Sequence, residues 1–357
     1  SPECSRILAA MGVLDAIEHG GAATLRGMII RAPDGREFRG EFAAAHGFHG
    51  FRDRGLALPR LQLDTMLLDC ARAAGARVVE GAHVRDVIRD RTGRTTGVTV
   101  TGAPHEQYAA QVVVGADGLR SVVGRRLELV KARRWPRRVA LVAHYSGVRG
   151  VGPYGEMHVA ANGYVGLADV GSGRTNVAVV VPFRDARAMA GDPGRFMDCW
   201  LAGHPHLRAR FADAVRVTAV MATGPFGVHA RRAWAPGAAL VGDAADFFDP
   251  FTGEGIYSAL RGAELLAAQL TSDALDGPSA TDAALAAYDC ARRKAFRGKW
   301  RVEQLIGIAV SSPMLMNRAA RALAAQPAMA DLLVGVAGDF VPPSAVLRPG
   351  FMIRLLA

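Results

Sequence analysis

The chain is poor in lysine, cysteine and aromatic residues, and each scarcity narrows its class. Lys131, Lys294 and Lys299 are its only lysines, so the formal charge of +10 at pH 7, from 43 basic against 33 acidic residues, is carried almost wholly by arginine. Two denser basic stretches, Lys131 to Arg138 and Arg292 to Arg301, lack the zinc ligands, helix-turn-helix glycine pattern and stacked aromatics of nucleic-acid modules. They read as solvated faces, and no nucleic-acid partner is expected. Cys4, Cys70, Cys199 and Cys290 are far apart, with no CxxC, no Cys/His ligand pairing and no signal peptide ahead of them. Reduced thiols, a cytoplasmic location and no metal are the expectation. No apolar run approaches the roughly 18 residues of a membrane span, which leaves peripheral membrane contact open. There is no internal repeat. What remains, 357 residues with 50% hydrophobic, 21% charged, 41 Gly and 18 Pro, is an ordinary globular composition for one large or two interlocked domains.

Periodicity supplies the elements. Ser1 to His19 reads as one helix, with Pro2 just inside its start, Ile7, Leu8, Met11, Leu14 and Ile17 at helical spacing, and Gly20-Gly21 at its end. A second helix follows Pro59 on the stripe Leu63, Leu67, Cys70, Ala74 and closes at Gly75, after which Arg77 to Glu80 reads as a strand. Val84 to Arg89, Gly97 to Thr101 and Tyr108 to Val114 suggest a meander leading into a buried strand that ends at Gly115. Val139 to Tyr145, Glu156 to Ala160, Tyr164 to Ala168 and Asn176 to Val181, separated by Gly-rich turns, read as an antiparallel sheet. A helix near Pro193 to Gly203 and a strand at Arg216 to Met221 lead to the buried strand Ala239 to Val241, and the chain beyond Gly255 is predominantly helical.

Two loops carry chemistry. Val112-Val113-Val114-Gly115-Ala116-Asp117-Gly118 is an apolar strand turning into a helix, where Gly115 and Gly118 allow close approach or positive φ and Asp117 either fixes the turn or accepts a hydroxyl. Ala239-Leu240-Val241-Gly242-Asp243 followed by Pro250-Phe251-Thr252-Gly253-Glu254-Gly255-Ile256 is more specific. A carboxylate just beyond a buried strand can bind ribityl or ribose hydroxyls, and a Pro-x-x-Gly-x-Gly loop opening a helix offers free N–H groups at the positive end of the dipole.

The pair GADGLRS and GDAADFFDPFTGEGI, separated by the antiparallel block, resembles the FAD-dependent oxidoreductases and monooxygenases with the aromatic-hydroxylase (PHBH-like) fold, and within them the geranylgeranyl-reductase-like branch. The resemblance implies an α/β (mixed α+β) fold: a three-layer Rossmann-like FAD-binding domain interrupted by an antiparallel-sheet substrate domain, with a helical C-terminus. The implied division is 1–135 and 226–300 for the two parts of the FAD-binding domain, 136–225 for the substrate sheet and 301–357 for the C-terminal helices. It also implies that Arg60, Asp117, Gly118, Asp243, Pro250, Gly253, Glu254, Gly255 and Ile256 contact FAD, with Arg60 near its phosphates. Aromatic hydroxylases often carry histidine where this chain has Asp246, and the tryptophan-rich motif and lysine of flavin halogenases are not recognisable, which disfavours halogenation. The family's opening Gly-x-Gly-x-x-Gly unit is also not found, and the expectation is that an N-terminal segment of about 30 residues is missing.

On the substrate side, His144, Tyr145, Glu156, His158 and Tyr164 are candidates for acid/base or orienting groups, and Phe247 and Phe248 for pocket walls, against the alternative that strand alternation makes them structural. The helix residues from Leu305 to Leu333 offer an apolar face suited to a prenyl-like chain or a membrane surface as well as to packing. The expected activity is an FAD-dependent, monooxygenase-type oxidoreductase in which NADPH or NADH reduces the flavin and the substrate is a small apolar or aromatic molecule. A flavin-dependent reductase of isoprenoid double bonds and a catalytically inactive flavoprotein remnant are the alternatives. The oligomeric state is not set by the sequence.

Overall fold

The computed structural model describes residues 1–43, 46–132, 135 and 137–356. Its centre is a sheet of eight strands among the described residues, in the order Val215–Arg216, Arg138–Ser146, Arg174–Pro182, Gly163–Asp169, Gly155–Ala160, Gly27–Arg31, Glu37–Glu41, with Met221–Thr223 also on Arg138–Ser146. All pairings are antiparallel except Gly155–Ala160 with Gly27–Arg31, which is parallel. Both faces are covered, and the central stretches 139–143, 165–168 and 177–181 are apolar throughout, as strands buried on both faces tend to be. Leu141, Val165, Val177 and Val179 pack under the helices Ala186–Gly191, Pro193–Ala202 and Pro205–Arg208. Ala140, Val159, Tyr164 and Val180 face the C-terminal helices.

A second layer holds the strand pair that both chemical loops leave. Ala238–Leu240 lies parallel to Val113–Gly115, with Leu240 opposite Gly115, so the two loops emerge side by side at the same end. The Pro278–Val310 helix, 33 residues and about 50 Å long, runs past this layer and on to the large sheet. Tyr288 fixes it by donating to the Leu240 carbonyl at 2.7 Å. No helix is long and apolar enough to cross a membrane among the described residues.

Several elements differ from the sequence expectation. The first helix is two, Pro2–Ala10 and Leu14–His19, because Gly12 takes a left-handed φ of 73° that reverses the chain between them. Residues 77–80 are not a strand, and Tyr108 to Val114 splits into Gln107–Ala109 and Val113–Gly115 in separate sheets. The strand expected at Arg216 to Met221 pairs only at its two ends. Between them the backbone bulges out, with Val217 N–H donating to His144 O and the His144 N–H donating to Thr218 Oγ1. The strands Gly27–Arg31 and Glu37–Glu41 extend the large sheet from the N-terminal segment. The basic stretch from Lys131 to Arg138 lies partly outside the described residues, at 133, 134 and 136. The four cysteines are free.

Candidate active site

The packing of the parallel strand pair sets the residues at its ends. At Gly115 any side chain would press on Leu240 and Val123, both 2.8 Å from the position of a Cβ, so close packing of the pair requires glycine there. Asp117 turns back on its own loop: its Oδ2 accepts from Val122 N at 2.6 Å and Val123 N at 3.3 Å, starting the short helix Val122–Arg126. Gly118 comes next, with a φ of 72° and open space beside it.

A cavity of about 550 Å³ opens where the two loops meet. Arg60, Gly118, Asp243, Pro250, Gly253, Glu254, Gly255 and Ile256 all line it, and Asp117 does not. Arg60, the first residue of the Arg60–Ala73 helix, is exposed and holds Asp64 through two 3.1 Å contacts. Asp243 sits in the turn after Ala238–Leu240, half-buried, where burial pushes its carboxyl up to about 6 against the attraction of Arg60.

The loop from Asp249 to Gly255 is pinned from two sides. Asp249 Oδ1 accepts from the Tyr164 hydroxyl at 2.5 Å and from Phe251 N at 3.1 Å, and the carboxylate is paired with Arg138. Arg138 also donates to Gly307 O and to Ser311 Oγ near the end of the long helix. Glu254 Oε2 is 3.0 Å from Lys299 Nζ on that helix. Between these anchors Gly253 takes a left-handed φ of 70°, and the Gly255–Ala267 helix starts with no side-chain cap.

These features fit a dinucleotide carrying hydroxyls and an electron-rich ring. Asp243 is a half-buried carboxylate with no hydrogen-bond or ion-pair partner among the described residues, the environment a ribityl or ribose hydroxyl would complete. The uncapped start of the Gly255–Ala267 helix faces the same space with free N–H groups. At Asp246 the carboxylate is engaged: it accepts from His229 at 2.5 Å and is paired with the buried Arg292, which also binds Asp289 at 3.1 Å. The long helix thereby holds the loop in place.

The sheet candidates divide by strand alternation. Met157, Val159 and Tyr164 face the C-terminal helices, whereas Glu156 and His158, opposite Leu167 and Val165, face the helices on the other side. There Glu156 binds Arg210 at 2.5 and 2.8 Å and His158 at 2.7 Å. Burial raises the Glu156 carboxyl, and these bonds outweigh it to leave it below the ordinary range. Tyr145, also on that side, donates to Asp198 at 2.9 Å, and burial pushes its phenol up to about 12. His144 is half-buried beside Asn176, and burial lowers its pKa. Only Tyr164 of these five touches the loop, while Phe247 and Phe248 line the cavity itself.

A second cavity, of about 320 Å³, lies between this sheet face and the C-terminal helices. Met28, Ile30, Met157, Leu315, Leu323 and Phe351 are among its walls, which carry no charged side chain, and Thr252 borders both cavities. The sequence placed an apolar face on Leu305 to Leu333 but offered no sign that Met28 and Ile30 complete it. Nor did it point to Lys299, Glu303, Asp249 or Arg138 around the loop. The i, i+4 spacing of Lys299 and Glu303 on one helix was the available signal.

The site is thus of the flavin-binding kind, a carboxylate and an uncapped helix start at the ends of paired parallel strands. The chain belongs to the FAD-binding domain family, whose sequence profile matches residues 2–302. Digeranylgeranylglycerophospholipid reductase 2 of Methanopyrus kandleri is 30% identical over 275 residues, 72% of this chain and 64% of that protein, so the chain spans less than two thirds of this curated relative. Among solved structures, the flavin-dependent brominase Bmp2 is similar with a TM-score of 0.78 at 17% identity, covering 95% of this chain and 84% of that one. PqsL of Pseudomonas aeruginosa, described as a probable FAD-dependent monooxygenase, is similar with a TM-score of 0.68 at 24% identity, covering 88% and 86%. One fold serves three chemistries in these proteins, and the likeness to the solved structures fixes the fold alone.

Proposed function

We propose that the protein is an FAD-dependent oxidoreductase that reduces a double bond in an extended apolar, isoprenoid-type substrate, with NADPH or NADH as the electron donor. The observation that carries this is the uncharged 320 Å³ cavity, whose wall shares Thr252 with that of the 550 Å³ cavity. Burial of about 0.8 kcal/mol per methylene would hold a hydrocarbon chain there without polar anchors. The similarity to a reductase of isoprenoid lipids supports the same substrate class.

When bound, FAD supplies hydride transfer. The chain's own groups bind and orient. Asp243 would hold cofactor hydroxyls, and the N–H groups at the start of the Gly255–Ala267 helix would favour negative charge on the group beside them. Tyr164 and Arg138 fix the loop through Asp249, and the apolar walls exclude water from the reacting bond.

Anaerobic turnover tests the proposal. With reduced flavin and a geranylgeranyl lipid, saturated product should form without oxygen. Product that forms only with oxygen uptake would replace reduction by the monooxygenase reading, and a protein that takes up no FAD would leave the inactive remnant. A cytoplasmic protein resting on a membrane surface is part of the proposal. Leu305 and Ile308, on the wall of the apolar cavity, and Met314 and Ile353 nearby are exposed, with Arg301, Arg348 and Arg354 on the same helices or next to them. Co-flotation with anionic vesicles would measure it.

A further inference from the structure

Two acids, the buried Glu254 and the half-buried Glu303, lie at the edge of the cofactor cavity. Glu254, 5% exposed, is 3.0 Å from Lys299, and Lys299 is also paired with Asp339. One ammonium thus serves two carboxylates. The ammonium also lies 4.4 Å from the centre of the Tyr257 ring, and Asp339 accepts from the Ser1 hydroxyl at 2.5 Å. Glu303, one helical turn beyond Lys299, shares a wall of the 550 Å³ cavity with Glu254. Two neighbouring carboxyl groups repel when both are ionised, which favours a proton on one of them.

The surrounding charges decide which one keeps it. Glu254 faces Lys299, which favours its ionised form, although burial raises its pKa. Glu303 faces Glu254 and Asp249, and has Lys299 only as a cation shared with Glu254 and Asp339. Asp249 is itself matched by Arg138. Burial, then the Glu254 charge, push the Glu303 carboxyl well above the usual range.

Glu303 has two outlets. It lines the 550 Å³ cavity together with Thr252, Gly253 and Glu254, and it also lines a separate cleft of about 80 Å³ with Trp135, Phe248, Asp249 and Gln304. Trp135 is 59% exposed and Gln304 is exposed, so this cleft opens to solvent. We propose that Glu303, placed beside Glu254 between the cofactor cavity and the solvent cleft, holds the proton that the reaction consumes and regains it from water through the cleft.

This inference rests on the proposed double-bond reduction, which consumes one hydride and one proton. The hydride derives from the nicotinamide donor by way of the flavin and bonds to one alkene carbon. The O–H bond of Glu303 breaks as its proton bonds to the other carbon, leaving a carboxylate, and a proton from water in the cleft restores the acid.

The test uses Glu303→Gln, which is neutral and close in shape to a protonated glutamic acid. Infrared difference spectra of the flavin-free protein should contain a carboxylic-acid carbonyl band at neutral pH that disappears in Glu303→Gln and persists in Glu264→Gln, a control at a surface ion pair. In the FAD-loaded protein, Glu303→Gln should keep flavin affinity within about twofold and lower kcat by about 100-fold with little change in KM, the usual scale for losing a positioned acid. It should also remove the alkaline limb of the kcat profile. Glu303→Asp should restore part of kcat and the alkaline limb. A carbonyl band that survives Glu303→Gln, or an unchanged kcat and pH profile, would overturn the proposal. The infrared result stands even if no FAD is bound, so failure of the flavin reading and failure of this one are separately visible.

Discussion

The Tyr164 hydroxyl donates a 2.5 Å hydrogen bond to Asp249 Oδ1, tying the middle of the large sheet to the loop that opens the Gly255–Ala267 helix. The phenol is buried, and burial followed by the adjacent carboxylate keeps it protonated far beyond neutral pH. Tyr164→Phe should keep the T-shaped contact with Phe251, 5.1 Å between ring centres, and lose only the hydrogen bond. A loss of about 1–2 kcal/mol in unfolding free energy is expected, because Asp249 retains Arg138. Denaturant titration measures this, and a shift of the flavin absorption bands would report the loosened loop.

Asp243 should matter to the cofactor more than to the fold. Asp243→Ala removes the carboxylate without breaking any bond within the chain, so flavin-free stability should hold or rise. FAD affinity should fall by roughly 10- to 100-fold, the worth of one or two hydrogen bonds to a charged acceptor. Equilibrium dialysis against FAD with thermal melts of the flavin-free protein checks both halves. Unchanged affinity would remove Asp243 from the site.

The raised pKa of Asp243 has its own signature. Its folded value of about 6 lies above the ordinary 3.8, so its contribution to flavin-free stability is complete at pH below about 4 and is lost as pH rises through 6, a change of about 3 kcal/mol at most. On the proposed reading, cofactor hydroxyls bind the ionised form. FAD affinity should therefore increase between pH 5 and 7, and this increase should vanish in Asp243→Asn.

Ala309 lines the apolar cavity from the long helix. Ala309→Trp should fill part of that space and raise KM for a long apolar substrate by tenfold or more, while FAD binding and the rate of flavin reduction by the nicotinamide stay as they are. Steady-state kinetics with substrates of decreasing chain length should show the shortest least affected.

Glu156→Gln should act on stability. It leaves Arg210 without its buried partner, at a cost of about 3–5 kcal/mol. Because the folded pKa of Glu156 is lowered, its contribution is present above the unfolded value of 4.5 and is lost as pH falls through the folded one. Acid-induced unfolding should therefore shift to higher pH in Glu156→Gln. If kcat fell while stability held, Glu156 would belong with the chemistry instead.

The legible part of this protein was local. Antiparallel strands from Val139 to Val181 were readable because alternation and glycine turns are written within each stretch. The two glycine-bearing loops were readable because a strand followed by Gly-Asp or Pro-x-x-Gly-x-Gly is a contiguous pattern. Asp117 was legible only as two alternatives, and the observed capping of Val122 and Val123 depends on a turn geometry that the letters do not state. Met28 and Ile30 escaped notice because their strand joins the sheet by a parallel pairing more than 120 residues distant. Lys299, Arg138 and Glu303 escaped because a buried charge is recognisable only by its partner, and each partner comes from another part of the chain.

The Pro278–Val310 helix borders both cavities, with Tyr288 and Arg292 on the 550 Å³ cavity, Lys299 and Glu303 in the middle and residues between Val302 and Val310 along the apolar one. Such an axle divides labour by position along its length. Exchanging its final turns and the helices beyond Ser312 for those of another family member would reshape the apolar cavity while leaving the residues of the other cavity in place, so the two ends of one helix can change independently.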